Sequence, residues 1–351
     1  MSSYLEKAGT PKAKTDLKNK QQTVSLKQRV LKRELEITGI ISLLVVFAYM
    51  LGDPLAVKCI SVSYQVGNVN QYDKGYNDCY FVAFWAVTFA FLRAAFMKFL
   101  FHPTAQSLNI EPFSKRERFA EQGWSLTYYT LYWSYGMYIM YNGPHWLNTS
   151  YYWIDYPHIL ISRQTKTYYL MQLAFWVQQV YTIHIEKRRK DHFAMVTHHF
   201  ITIILIASSY FTNFTRIGNA VLCCMDLSDI ILSLAKLLKY IGLSKTCDIT
   251  FGIFALSWPL TRHVLFSMII WATATEPSRY IDMKWEPEKG KYFTPLTQKI
   301  YVFLFVMLNI IMVYWFAMIV KVIVGVLKGK NAEDTRSDDE EESDHIEQKS
   351  G

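Results

Sequence analysis

Two histidines stand side by side at His198 and His199, and two aspartates stand three residues apart at Asp226 and Asp229, each pair inside an otherwise apolar stretch. Ionisable side chains at bilayer depth cost about 2.5 to 3.5 kcal/mol each on insertion scales, so those that occur mark a cavity or a pathway. The histidines follow the basic run Arg188-Arg189-Lys190-Asp191 by a short interval. At 1.5 Å per helical residue this puts them roughly 12 Å below the charged surface. Asp229 lies some ten residues, or roughly 15 Å, from the end of its own apolar stretch near Lys239, on the same basic side. Asp226 and Asp229 share one helical face, because residues three apart are neighbours on a helix. The two pairs are therefore expected at similar depth on consecutive antiparallel helices, facing one cavity.

The chemistry available to such a cluster is proton transfer and nucleophilic attack. A neutral imidazole serves as base or nucleophile near pH 7, and a carboxylate on its second nitrogen fixes the tautomer and stabilises the imidazolium. That suits acyl transfer to an amine, where an ammonium must lose a proton before it attacks a thioester carbonyl. A single membrane histidine is as readily an interhelical hydrogen-bond partner, but two histidines and two carboxylates at matching depth favour a shared site. Arg262 and His263 are available as counter-charges for the aspartates. The neighbouring Trp258-Pro259 suits a structural kink instead, and for these two residues the structural reading is the weightier.

The elements that must position these groups are read from hydropathy. Of 351 residues, 51% are hydrophobic and 16% aromatic, gathered into long runs. A hydrocarbon core of about 30 Å takes roughly 20 apolar residues per crossing. Candidate crossings fall at 37–51, 79–101, 124–141, 168–185, 193–211, 217–240, 249–272 and 300–327. The fold class is all-α, a polytopic membrane helix bundle of about eight transmembrane helices. The first 36 residues form a basic segment with nine Lys/Arg against four Asp/Glu, too polar to be a cleavable signal.

Basic residues collect in alternate connectors, at Lys115, Arg116 and Arg118, then Arg188, Arg189 and Lys190, then Lys236, Lys239 and Lys245. The positive-inside rule places these, and both chain ends, in the cytosol. An opposite connector holds Asn148-Thr149-Ser150, a glycosylation sequon that belongs in a lumen, while a second sequon at Asn213 lies too close to the helix ends to be used. The residues after 328 are acidic and expected to be disordered. Ser337 and Ser343 precede acidic residues there and suit an acid-directed kinase, with a merely solubilising tail as the equal alternative. Cys59 and Cys79 share the lumenal side, where a disulfide and two free thiols are both open. No cysteine or histidine spacing suits a metal, so none is expected. The basic cytosolic loops are expected to hold the phosphates of CoA at the membrane surface.

The stretch 186–240 closely resembles the longevity-assurance motif of ceramide synthases, inside the TLC domain. The likeness rests on RRKD, the double histidine, SYF followed by N-x-x-R-x-G, and D-x-S-D with Lys236 after it. FAEQGWSLTYY and YYLMQLAFW upstream also look like the family. This divides the chain into a basic segment 1–36, two preceding spans in 37–115, a TLC domain in 116–328 and a tail in 329–351. The resemblance implies an endoplasmic-reticulum enzyme that joins an acyl group from acyl-CoA to a sphingoid base. It implies His198, His199, Asp226 and Asp229 as the essential residues. His198 is the favoured reactive group, either as general base or as transient acyl carrier. Arg262, Lys236, Arg188, Arg189, Lys190 and Asp191 are the expected substrate contacts, with no tightly bound cofactor and no nucleic acid. A small single-span regulatory subunit and a homo- or heterodimer are compatible with it.

Met225 stands where animal members commonly carry histidine, and 52–78 is too short for their homeodomain-like insert, so the chain looks fungal. Transport is the weaker reading, because no inverted repeat is evident. A lipid-sensing TLC protein that performs no chemistry need not keep the histidine pair together with D-x-S-D, and a di-iron hydroxylase would need more histidines.

Overall fold

The computed structural model describes residues 33–186 and 190–328. The expected kinase sites Ser337 and Ser343, and the basic residues Arg188 and Arg189, lie outside the described residues. Described secondary structure is helical apart from isolated bridges such as Gln65 with Tyr72. Helix α1 (Arg33–Met50) turns through 119° into the short α2 (Pro54–Ile60). The turn is built by Asp53, whose carboxylate accepts from the Leu55 and Ala56 amides, with Pro54 occupying the first helical position where no donor is needed.

Helix α3 (Asp78–Phe96) continues through a π-helical turn (Met97–Phe101) into α4 (His102–Ser107). Then come α5 (Phe113–Tyr141), α6 (Arg163–Ile185), α7 (His192–Phe211) and α8 (Thr215–Ile241), which closes at the left-handed Gly242. Helix α9 (Ser244–Trp258) passes through a second π-helical segment (Pro259–Leu265) into α10 (Phe266–Thr275). The four-residue α11 (Pro277–Tyr280) and the long α12 (Pro295–Leu327) complete the order.

Among the described residues, four helical stretches are long and apolar enough to cross a membrane, or five if the bent pair α1–α2 counts as one. They are Asp78–Ser107, His192–Phe211, Ser244–Thr275 and Pro295–Gly325. Helices α5, α6 and α8 are 29, 23 and 27 residues long, but their composition does not meet that test. For α6 and α8 the reason is local. Gln172, Gln178, Lys166, Asn219 and Asp226 on these helices are buried inside the bundle, and polar residues turned inward lower a helix's hydropathy without exposing charge to lipid.

Helix α5 packs along α8, α8 along α9, α3 against α6, and α6 against α7. One apolar cluster joins α7, α8, α10 and α12 through Leu205, Ile217, Phe266, Phe305 and Leu308. A second joins α3, α5 and α6 through Phe89, Tyr128 and Phe175. In lipid there is little hydrophobic drive between helices, so close approach decides packing. Gly218 provides it: a Cβ there would sit 1.6 Å from the Tyr169 hydroxyl, and at Gly136 a Cβ would sit 2.5 Å from that of Tyr168.

The face of the bundle opposite the basic connectors is knotted by buried ions. Lys166 pairs with Asp78 at 2.9 Å and donates to the Ser63 and Asp73 carbonyls. Tyr210 donates to the other Asp78 oxygen at 2.7 Å. Lys74 donates to the Asn213 side chain, whose amide group donates to the Gly290 carbonyl at 2.8 Å. Burial pulls the Lys74 ammonium down to about 7, against the partial support of Asp73. All five cysteines are free thiols, Cys59 and Cys79 included.

Candidate functional site

His198 and His199 sit in the first half of α7, Asp226 and Asp229 near the middle of α8, and Arg262 in the π-helical segment between α9 and α10. That segment starts at Pro259, which has no backbone donor and so loosens the helical ladder where it stands. The loosened turn aims Arg262 at α8. Its guanidinium donates to Asp229 at 3.0 Å and to the Met225 carbonyl at 2.7 Å, and lies 3.9 Å over the Trp258 ring. The arginine is thus both a packing element and the partner of a site carboxylate.

Each member of the expected quartet has a distinct setting. His199 donates from Nδ1 to the Met195 carbonyl at 2.7 Å, the tautomer that leaves Nε2 with a free lone pair. His198 has no partner at Nδ1. Its ring is wedged edge-on between Trp176 at 5.4 Å and Trp315 at 5.3 Å. Asp226 is 1% exposed and accepts from the Gln172 side chain at 3.2 Å. Gln172 in turn accepts from the Tyr128 hydroxyl at 2.9 Å. The carboxylate contacts therefore run to Gln172 and Arg262, and the contact of His199 Nδ1 runs to a carbonyl, where the residue types suggested direct imidazole–carboxylate pairs.

Two cavities converge here. A polar cleft of about 1400 Å³ of empty space, open to solvent, is lined by Arg93, Arg118, Glu121, Lys236 and Asp229 together with both histidines. A smaller one, about 660 Å³, is almost wholly apolar and runs among Leu205, Ile206, Ile217, Phe293, Phe305 and Leu308. Trp176, His198 and Met225 line both, so the His198 imidazole stands at the junction. Asp226 lines neither and lies behind the junction.

The remaining expected contacts divide. Lys236 lines the polar cleft. Asp191 is buried, and its carboxylate accepts from the Trp315 indole at 3.1 Å, so it holds the ring that backs His198. Lys190 is exposed at the start of α7. His263 points away, 5.0 Å from Phe316. Asn148 is exposed and caps a short turn by accepting from the Ser150 amide, whereas Asn213 is buried and bonded through both side-chain atoms. Among the described residues no three His, Cys, Asp or Glu side chains are grouped as metal ligands.

Gln172 and Trp176 lie in the YYLMQLAFW stretch but carried no role there, Trp315 did not stand out, and the Arg93–Glu186 pair at 2.6 Å beside the cleft was not foreseen. An arginine inside an apolar run was the one available signal for that pair.

The comparisons give the family. The TLC domain profile matches residues 118–321. The chain is 40% identical to sphingosine N-acyltransferase lag1 of Schizosaccharomyces pombe, over 83% of this chain and 75% of that protein. It is 34% identical to ceramide synthase LAG1 of Saccharomyces cerevisiae, over 81% and 70%, and 28% identical to ceramide synthase 1 LOH3 of Arabidopsis thaliana, over 77% and 93%. A profile that spans more than half of the chain, and relatives of this likeness along most of it, make the chain a member of the TLC-domain family of ceramide synthases.

Proposed function

We propose that the chain transfers a fatty acyl group from acyl-CoA to the amine of a sphingoid base. The observation that carries this is the position of His198, where a polar cleft lined by cations and carboxylates meets an apolar cavity. An acyl thioester needs both. Its phosphates require cations such as Arg118 and Lys236, its chain requires an oily slot, and its carbonyl falls between them.

In this reading the sphingoid ammonium loses a proton to an imidazole, and the free amine bonds to the carbonyl carbon. The C–S bond then breaks with its electron pair leaving on sulfur, which takes up that proton from the imidazolium to leave as CoA thiol. The nitrogen gives its second excess proton to the freed imidazole and from there to cleft water. His199 presents its Nε2 lone pair to the cleft side, and His198 is placed to act as base or to carry the acyl group. Asp229 offsets developing imidazolium charge from across the cleft, in balance with Arg262. Asp226, held by Gln172, lies behind the junction and fixes how α6 and α8 meet there.

The finer topology belongs to the same proposal: eight crossings made by α1, α3–α4, α5, α6, α7, α8, α9–α10 and α12, in the endoplasmic-reticulum membrane with both ends cytosolic. This puts Asn148 in the lumen as a glycosylation site. A lipid sensor that performs no chemistry would have no use for a cation-lined cleft opening onto paired histidines. Microsomes bearing the chain, supplied with a ladder of acyl-CoAs and with sphinganine or phytosphingosine, are expected to form N-acyl product. His198→Ala is expected to lower kcat at least 10²-fold, the order of a lost acid–base group, with the protein still inserted. Full activity of His198→Ala would refute the assignment.

A further inference from the structure

Buried polar atoms almost always find a partner, and one left without costs about 1–3 kcal/mol. The indole Nε1–H of Trp176 and the hydroxyl of Thr202 are both buried and both without a partner. Trp176 is 6% exposed and Thr202 8%. The Thr202 omission departs from local habit, and Trp176 is set apart from the other unpartnered indoles by lining both cavities. The helical threonines Thr88, Thr104, Thr127, Thr250 and Thr273 each return their hydroxyl to the carbonyl four residues back, the usual resting place for such a group. Thr202 does not. The indoles of Trp133, Trp153 and Trp315 each reach an oxygen. Trp85, Trp124 and Trp258 also lack a partner, but none of them lines the apolar cavity.

Both orphaned donors belong to residues that line the apolar cavity, as His198 does. Trp176 lines both cavities, with its ring 5.4 Å from that of His198 and 5.0 Å from that of His199. Thr202 lies one helical turn beyond His198 on the same face of α7 and lines the apolar cavity. A thioester with its CoA portion in the cleft and its chain in the apolar cavity places its carbonyl between these donors.

We propose that the Trp176 N–H and the Thr202 hydroxyl together receive the negative charge that develops on the acyl carbonyl oxygen, an inference that rests on the acyl-transfer reading above. When the nucleophile's lone pair bonds to the carbonyl carbon, the carbonyl π pair moves to oxygen, and the two donors hold it there. The pair then returns to re-form the carbonyl as the C–S bond breaks, with its electrons leaving on sulfur. The requirement is the same whether the nucleophile is the substrate amine or the His198 imidazole. A donor kept dry and unpaired before the reaction needs no reorganisation at the moment of charge formation, which is what makes preorganised donors effective.

The test uses the full-length chain in microsomes. Trp176→Phe and Thr202→Val remove the donors while keeping most of the volume, and Thr202→Ser keeps the hydroxyl. For each, kcat and KM for acyl-CoA are measured at saturating sphingoid base, with binding of an unreactive thioether analogue of acyl-CoA measured alongside. Loss of one such donor costs on the order of 10²-fold in kcat. The expected result is a fall of about that size in Trp176→Phe and a smaller one in Thr202→Val. KM and analogue binding should stay within a few-fold, and Thr202→Ser should retain most activity. Variants within a few-fold of wild type in kcat, or losses that appear in KM and analogue binding instead, overturn the donor pair. If Trp176→Phe does not accumulate, the Thr202→Val and Thr202→Ser comparison decides. A wild-type chain that forms no N-acyl product would sink the acyl-transfer reading itself, a result distinct from active wild type with unaffected variants.

Discussion

At the scale of single residues, the site separates duties that residue types alone would merge. His199 is fixed by its own helix through Met195, Asp229 is balanced by Arg262, and Asp226 is held by an amide that a tyrosine supports in turn. The Gln172 tether therefore carries a specific expectation. Gln172→Leu leaves the Asp226 oxygen and the Tyr128 hydroxyl buried without partners, a cost of about 1–3 kcal/mol. Detergent-solubilised variant should melt at lower temperature, and turnover should fall about tenfold or more because the carboxylate can reorient. Unchanged melting and turnover would remove Gln172 from the site. The histidines and aspartates were legible in the sequence because ionisable groups are rare in apolar runs and their depth follows from helical rise. Their partners were not, because a glutamine on α6 or a carbonyl one turn back becomes a partner only through packing and rotamer.

At the scale of elements, α6, α7 and α8 hold the junction between them, and their spacing depends on small residues at crossings. Gly218 is the tightest such point, with Tyr169 and Ser209 bonded to each other at 2.7 Å beside it. Gly218→Ala must push Tyr169 or α6 aside, since the collision is with a ring anchored at its hydroxyl. Overpacking of this kind costs about 1–3 kcal/mol, to be read as a lower melting temperature together with altered preference along an acyl-CoA ladder, because both residues line the apolar cavity. A variant indistinguishable from wild type in both would show that the crossing is slack. The expected crossings 124–141, 168–185, 193–211, 217–240 and 300–327 each overlap a single observed helix, whereas 79–101 runs from α3 into the π-helical turn. The π-helical segments were hidden, since a proline marks a break but not the register in which the helix resumes. The kink at Trp258-Pro259 proved structural and site-forming together, because the π turn is what carries Arg262 to Asp229.

At the scale of the whole molecule, the bundle is polar and open at the basic face and is braced at the other by Asp78, Lys166, Lys74 and Asn213. That knot makes stability depend on pH. Folded Lys74 releases its proton near 7, whereas the ordinary lysine value is 10.5. Between these limits the unfolded chain binds the extra proton, so stability rises with pH across that window. Below about 7 both states are charged, and the cost of burying the ammonium is fully present. The melting temperature in detergent should therefore climb from pH 7 toward pH 9, and Lys74→Met should flatten the climb. A Lys74→Met profile that keeps the wild-type slope would assign the pH dependence elsewhere. Composition made the membrane class plain, but the buried lysines of this knot looked like ordinary loop charges, since nothing in their spacing shows which carboxylate they meet.

The central claim is that the acyl chain lies in the apolar cavity with its carbonyl at His198. Acyl-CoA carrying a photoreactive diazirine near the end of its chain tests this directly, through the residues it labels after irradiation. Label on cavity-lining residues such as Leu205, Phe305 and Leu308, suppressed by excess unlabelled acyl-CoA, is the predicted result. Label confined to outward-facing residues such as Ile204, Val264 and Ile310, which are 50–58% exposed, would contradict it.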